Sequence, residues 1–321
     1  LQDSSGLSGV PSGFPSVDKI TLGWQASDLI ILAARPSVGK TAFVLNLARN
    51  AAVDFNMPVA FFSLEMPAIQ LAKRMMVTET RLSADKIKGG VKLAAWEWEQ
   101  LDIQLKKLAK APIYIDDTPG LSIFELQSKA RKLVREKGVE LIIIDYLQLM
   151  NANGANFGSR EQEVSIISRR LKWIAKELDI PVIALSQLNR NVEKRDSSNS
   201  NVEGKKPQLS DLRESGAIEQ DADMVCFIHR PEYYRIYNDD KTGKDLRGLG
   251  QIIVAKHRNG ATDEVWMRFI GKYAKFQNEN EAFDESIYET ATAPTTTTFQ
   301  SKMNATMDAH GAKLDDDITP F

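Results

Sequence analysis

The chain has 321 residues, a formal net charge of −2, 43% hydrophobic and 26% charged residues, which allows one large domain or two modest ones and excludes a wholly disordered, collagenous or coiled-coil chain. A single Cys excludes an intramolecular disulfide framework and a Cys-rich zinc module, and three His leave little room for a His-built metal site. No apolar run reaches the ~18 residues of a membrane-spanning candidate, and the polar start at 1–13 lacks a charged-then-apolar leader pattern, so a cytoplasmic protein is expected.

The chain opens with Leu1 and not Met, and it reads as a fragment whose residues 1–12 are residual linker. Beyond that, short apolar runs alternate with amphipathic ones. Leu29–Ala34, Val59–Leu64, Ile113–Asp116, Leu141–Asp145, Val182–Ser186 and Met224–His229 are almost continuously apolar, as strands covered on both faces must be. Helical periodicity fills the intervals at Lys40–Asp54, Pro67–Thr80, Ala94–Lys110, Ile123–Lys137 and Glu161–Leu178. The alternation predicts an α/β fold with a mostly parallel central sheet flanked by helices. Gly250–Lys256, Glu264–Phe269 and Lys275–Gln277 read as an antiparallel extension, with Gly260 in its first turn. Asn151–Ser159, Asn191–Pro207 and Tyr233–Gly248 read as loops, and loops at the carboxyl ends of parallel strands are where ligands bind. This body spans 13–281. From Ala282 the chain is Thr-rich, then acidic, and reads as a disordered tail, 282–321. The net charge hides an asymmetry. Residues 281–321 carry eight acids against two bases, a net of −6, which leaves +4 on the residues before them.

The strongest chemical signal is Ala34-Arg35-Pro36-Ser37-Val38-Gly39-Lys40-Thr41, with Ala42 behind it, between a strand and a helix. This is a P-loop with Ala34 at the usual first Gly. Gly39 lets backbone N–H groups turn around phosphates, Lys40 reaches the β/γ-phosphates, Thr41 ligates Mg²⁺, and the helix N-terminus adds positive potential. Asp145 ends an apolar strand, where it can complete a Mg²⁺ site. Glu65 follows the strand Val59–Leu64. If that strand lies beside the P-loop strand, the carboxylate faces the γ-phosphate and can orient water; a helix-capping or solvent-facing Glu before Pro67 fits the spacing equally.

These residues in this order resemble the C-terminal motor domain of the DnaB-type replicative helicases of bacteria, a branch of the RecA-like ATPases. The likeness runs from about Gly9 to Gln277. It is carried by Gly13–Asp18, Ala34–Thr41, Phe62–Pro67, Ile144–Leu149, Ala184–Arg190, Leu209–Asp223 and Lys256–Gly260. It implies a RecA-like sheet, ATP and Mg²⁺ as ligands, and an ATP hydrolase that moves 5′→3′ on single-stranded DNA at a bacterial replication fork. It makes Glu65 the base for water and Gln187 the γ-phosphate sensor. It also makes Lys256 and Arg258 a pair that acts in trans on the next subunit of a homo-hexamer. Arg213, Glu214 and Gly216 are its DNA contacts, and a primase and a loader are its partners. The family's collar domain and linker helix are not in the chain, so the resemblance implies a motor domain alone.

Arg160, Arg169, Arg170 and Lys172 form a second basic cluster, with Lys172 expected on a solvated helix face. No basic stripe interleaved with aromatics is visible, so base stacking is expected to be minor. The end Asp315-Asp316-Asp317-Ile318-Thr319-Pro320-Phe321 resembles the acidic tip of bacterial single-strand-binding proteins, with Thr319 inserted, and suggests a docking peptide for replication or repair partners; a solubilising tail is the plainer reading. Two other classes share the P-loop: a RecA-like recombinase and a non-motor ATP switch. Glu65 with its flanking run and the 212–223 run argue against the first, Gln187, Lys256 and Arg258 against the second.

Overall fold

Successive side chains of a strand point to opposite faces, and in this chain both faces are covered. In β1 (Leu29–Ala34), Ile30, Leu32 and Ala34 enter one core while Leu29, Ile31 and Ala33 enter another. The computed structural model describes residues 6–152, 159–189 and 202–281. The chain divides into two units, Leu1–Asn280 and Glu281–Phe321, and only the first is described below. The expected tail and docking peptide, most of Asn151–Ser159, and most of Asn191–Pro207 lie outside the described residues.

A short α1 (Pro15–Thr21) precedes β1. The P-loop then leads into α2 (Lys40–Arg49), which runs on through a wider turn at Asn50–Asp54. After β2 (Val59–Ser63) come α3 (Ala68–Thr80), α4 (Ala84–Ile87) and α5 (Ala95–Lys110). Next are β3 (Ile113–Asp116), α6 (Ile123–Lys137), β4 (Leu141–Asp145), α7 (Arg160–Leu178) and β5 (Val182–Gln187). A 3₁₀ segment, Leu209–Ser215, runs into α8 (Gly216–Asp221), followed by β6 (Met224–His229), β7 (Leu249–His257), β8 (Asp263–Ile270) and β9 (Lys275–Asn278). The helix ends carry their sequence signals. Ser122 and Glu125 form a reciprocal capping box on α6, and Gly138 closes that helix at φ 65°.

The nine strands form one sheet in the order β3-β2-β4-β5-β1-β6-β7-β8-β9. The first six are parallel and the last three run antiparallel, as the sequence predicts. The condition attached to Glu65 is not met. β2 does not lie beside β1; β4 and β5 stand between them. β2 pairs with β4, so Glu65 comes off the sheet next to Asp145 rather than next to the P-loop strand. Neighbouring strands in sequence pair often but not always, and here crossovers carry the chain past the nearest edge.

One core holds α2 and α3, the other α6 and α7. Phe43 of α2 is fully buried and stacks on Phe14 at 5.5 Å between ring centroids, with the edge of Phe276 from β9 at 5.3 Å. This cluster ties the P-loop helix to the N-terminal segment and to the last strand. Phe43→Ala should therefore cost about 3–5 kcal/mol, read as a lower urea midpoint; a loss under about 1 kcal/mol would show that the cluster does not hold the helix in place.

Candidate active site

The P-loop turns sharply out of β1. Ser37 and Gly39 have φ values of 63° and 120°. A Cβ on Gly39 would meet the Phe276 ring at 3.3 Å, and that ring is buried, so the position needs glycine for space as well as conformation. Lys40 Nζ donates to the Ala34 carbonyl at 3.0 Å, folding its side chain back over the loop. Arg35 points elsewhere: its side chain is buried and donates to the Leu188 carbonyl at 2.7 Å, tying the loop to the end of β5.

Thr41 Oγ1 donates to Asp145 Oδ2 at 2.8 Å, so the two residues assigned to the metal meet. Burial pushes the Asp145 carboxyl up to about 6, and the nearby Glu65 charge adds to the rise; the Thr41 hydrogen bond and Lys40 oppose it. Burial also lowers the Lys40 pKa, against the pull of Asp145 and Glu65. A buried carboxylate short of positive charge, beside a hydroxyl and an ammonium, fits a divalent cation and a polyphosphate.

Glu65 is aimed by the turn that follows β2. Ser63 Oγ donates to the Met66 carbonyl at 2.6 Å, the Met66 N–H donates back at 3.2 Å, and the Leu64 N–H donates to the Asp145 carbonyl at 2.7 Å. The first amide of α3, Ala68 N–H, donates to Asp117 and not to Glu65. Glu65 is exposed, as the solvent-facing reading has it, and lines an open cleft of about 950 Å³ together with Lys40, Thr41 and Gln187. That volume accommodates a nucleoside triphosphate. Gln187 closes β5, in register with Ala34 at the start of the P-loop.

The cleft holds residues that sequence reasoning passed over. Arg74 of α3 lines it and acts electrostatically on Asp145. Its position nine residues past Glu65 carries no motif. Phe269 and Lys272 form another part of the wall, brought there by the antiparallel extension.

Lys256 and Arg258 are not in this cleft. Antiparallel pairing sets Lys256 opposite Val225, which pairs with Ile31 in β1. The Arg258 N–H donates to Asp223, whose own N–H donates to Leu29, the first residue of β1. The P-loop begins at the other end of that strand, roughly 16 Å away at ~3.3 Å per residue. An irregularity at Val225/Cys226 bulges β7 just before Lys256 and turns this end of the hairpin.

Arg213 and Glu214 fall in the 3₁₀ segment and Gly216 opens α8; their side chains lie outside the described ones. One further expectation is corrected. Lys172 is not on a solvated face, since it donates to the Ser27 carbonyl at 2.8 Å and pairs with buried Asp223. Near Lys172 on α7, Arg170 packs its guanidinium 5.3 Å from the Phe124 ring centroid and 4.5 Å from that of Trp173.

Comparison with known proteins follows the same lines. A family model described as DnaB-like helicase C terminal domain matches residues 9–278. The chain is 48% identical over 280 residues to the replicative DNA helicase DnaB of Geobacillus stearothermophilus, covering 87% of this chain and 59% of that protein. It is 47% identical to the replicative DNA helicase DnaC of Bacillus subtilis, with the same coverage. It thus spans well under two thirds of the length of these relatives. Among solved structures, one described as an ATPase domain matches with TM-score 0.77 and 41% identity, covering 86% of this chain and 93% of that one. A DnaB-like replicative helicase, studied for its interactions with primase, matches with TM-score 0.77 and 40% identity, covering 86% and 63%. No helix of the described residues is long and apolar enough to cross a membrane.

The raised Asp145 pKa fixes a sign. Between the ordinary value of 3.8 and about 6 the folded chain binds more protons than the unfolded one, so this group's contribution to stability falls as pH rises through that window. Without nucleotide or metal, Asp145→Asn should raise the melting temperature at pH 8, by at most about 3 kcal/mol in stability, with the gain fading below pH 4. An equal gain at pH 4 and pH 8 would contradict this origin.

Proposed function

The chain belongs to the DnaB-like helicase C-terminal domain family, and from that premise we propose that it is the ATP-hydrolysing motor domain, 13–281, of a ring-shaped replicative helicase. The observation that carries this reading is the split of the hydrolytic set between two ends of one sheet. Phosphate, metal and water residues gather at the carboxyl ends of the parallel strands; Lys256 and Arg258 stand at the amino ends. One chain cannot bring the two groups together. A head-to-tail neighbour can, and head-to-tail contacts that close make a ring, which the family makes a hexamer.

In that ring Lys40 neutralises the β/γ-phosphates, and Thr41 with Asp145 would hold Mg²⁺, which spreads the charge developing on the phosphate oxygens. Glu65 orients water and takes its proton. Arg74 adds charge from the α3 wall. Gln187 donates its amide to a phosphate oxygen and, at the end of β5, passes the change to the segment that follows. Lys256 and Arg258 of one chain supply positive charge to the transition state in the next, as an arginine finger does. Positions 213, 214 and 216 face single-stranded DNA, and the chain moves 5′→3′ along it in the bacterial cytoplasm. A primase and a loader are its further partners; one structural relative is described with its primase interactions.

Mixed rings test the division of labour. Lys40→Ala and Arg258→Ala chains should each lose about 10³-fold in DNA-stimulated ATP turnover. Mixed at equal ratio, an intact P-loop meets an intact finger at about a quarter of interfaces, and turnover should recover toward that fraction. Mixtures as inactive as their components would sink the trans assignment. Glu65→Gln should bind ATP with near-normal affinity while turnover drops roughly 10²–10⁴-fold, separated by equilibrium binding and single-turnover rates.

A further inference from the structure

Lys256 and Arg258 already have partners within their own chain. Lys256 Nζ donates to the carbonyls of Glu219 at 2.5 Å and Ala222 at 2.8 Å. One guanidinium nitrogen of Arg258 donates to the Gln220 carbonyl and another to Asp223 Oδ1 at 3.0 Å. These acceptors are the last turn of α8 and the residues that close it. Carbonyls at a helix C-terminus have no partner inside the helix, and cations there satisfy them and oppose the dipole.

Asp223 is the anchor of this arrangement. It is 4% exposed. Its second carboxylate oxygen accepts from the Leu29 N–H at 2.9 Å and pairs with Lys172. Asp28 lies close by, 3.9 Å from Lys172; burial raises its pKa and the Asp223 charge adds to the rise, while Lys172, His257 and Arg258 oppose it. If Arg258 leaves, two partly buried carboxylates share Lys172, and the final carbonyls of a six-residue helix lose their cations. A helix that short has little stability of its own and depends on its caps.

The same two side chains cannot sit on their own α8 and on a neighbour's phosphate at once. We propose that Asp223 and the end of α8 are a resting seat for Lys256 and Arg258, and that a neighbour's bound polyphosphate draws both side chains off it, loosening α8 and the Leu209–Ser215 segment that runs into it. This rests on the trans reading of the finger given above. A polyphosphate is the chemistry able to compete, since it offers more charge than the seat and accepts several charge-assisted hydrogen bonds. The loosened stretch carries positions 213, 214 and 216, so hydrolysis in one chain is tied to nucleic-acid contact in the next. Linkage makes the tie reciprocal: a strand that favours the loosened form must favour finger transfer by the same factor. Asp223 is therefore a positioning residue that touches neither nucleotide nor DNA.

The test is ATP turnover of the full chain with and without oligo-dT, together with hydrogen exchange across 217–223. Asp223→Asn keeps an acceptor for the Leu29 N–H but removes the charge that holds Arg258. Strand-free turnover should rise about threefold and stimulation by oligo-dT should shrink toward one, while Asp223→Glu keeps the wild-type ratio. A structural role alone would change both rates in proportion, and that result overturns the proposal. The wild-type chain guards against misfolding of the variant. Saturating ADP–beryllium fluoride should speed exchange at 217–223 by about tenfold, whereas in Arg258→Ala exchange is fast with or without it. Unchanged exchange in wild type also overturns the seat. Full turnover in Arg258→Ala instead removes the trans reading, and the proposal with it.

Discussion

Parallel strands share one polarity, and that constraint organises this molecule. Every βα connection leaves the sheet at its carboxyl ends, so Lys40, Thr41, Glu65, Asp145 and Gln187 converge there from separate parts of the chain. β7 runs the other way against β6, so its far end arrives at the amino ends of the same strands. Lys256 and Arg258 are thereby kept out of their own cleft without any loop to hold them away. In the proposed ring, charge needed at the phosphate would come across a contact between chains, which would make turnover conditional on assembly.

The two ends of the sheet differ in how far their carboxylates are paired. At the carboxyl ends burial, with the Glu65 charge, raises the Asp145 pKa to about 6 against the pull of Thr41, Lys40 and Arg74. At the amino ends Asp223 is paired with Lys172 and Arg258, while Asp28, 3.9 Å from Lys172, has its pKa raised by burial and by the Asp223 charge. Under the proposed seat, the second arrangement would let a modest movement of two side chains report the state of a neighbour.

Much of this was legible from residue patterns. Continuous apolar runs located the strands of the parallel part to within a residue or so, because a strand buried on both faces admits little else. The P-loop and Asp145 were legible because each chemical role demands a residue type at a fixed place relative to a strand end. Strand order was not, since local periodicity says nothing about which strand a crossover passes; β2 therefore fell beside β4 and not β1. The partners of Lys172 and of Arg258 were hidden for the same reason, as both converge on Asp223 from distant elements. Arg74 stood within a helical pattern where an exposed base is unremarkable, and only the packing of α3 against the cleft brings it to the wall near Asp145. The packing of Arg170 on Phe124 and Trp173 joins two helices, so no single stretch displays it.

The most direct measurement is electron cryomicroscopy of the full chain with ADP–beryllium fluoride and oligo-dT. The expected particle is a closed ring in which Lys256 and Arg258 of one chain reach the phosphate held at Lys40 of the next, with Asp223 no longer bonded to Arg258. A ring whose phosphate sites are filled while Arg258 stays on its own Asp223, or a filament or monomer that completes the cleft from a single chain, would contradict it.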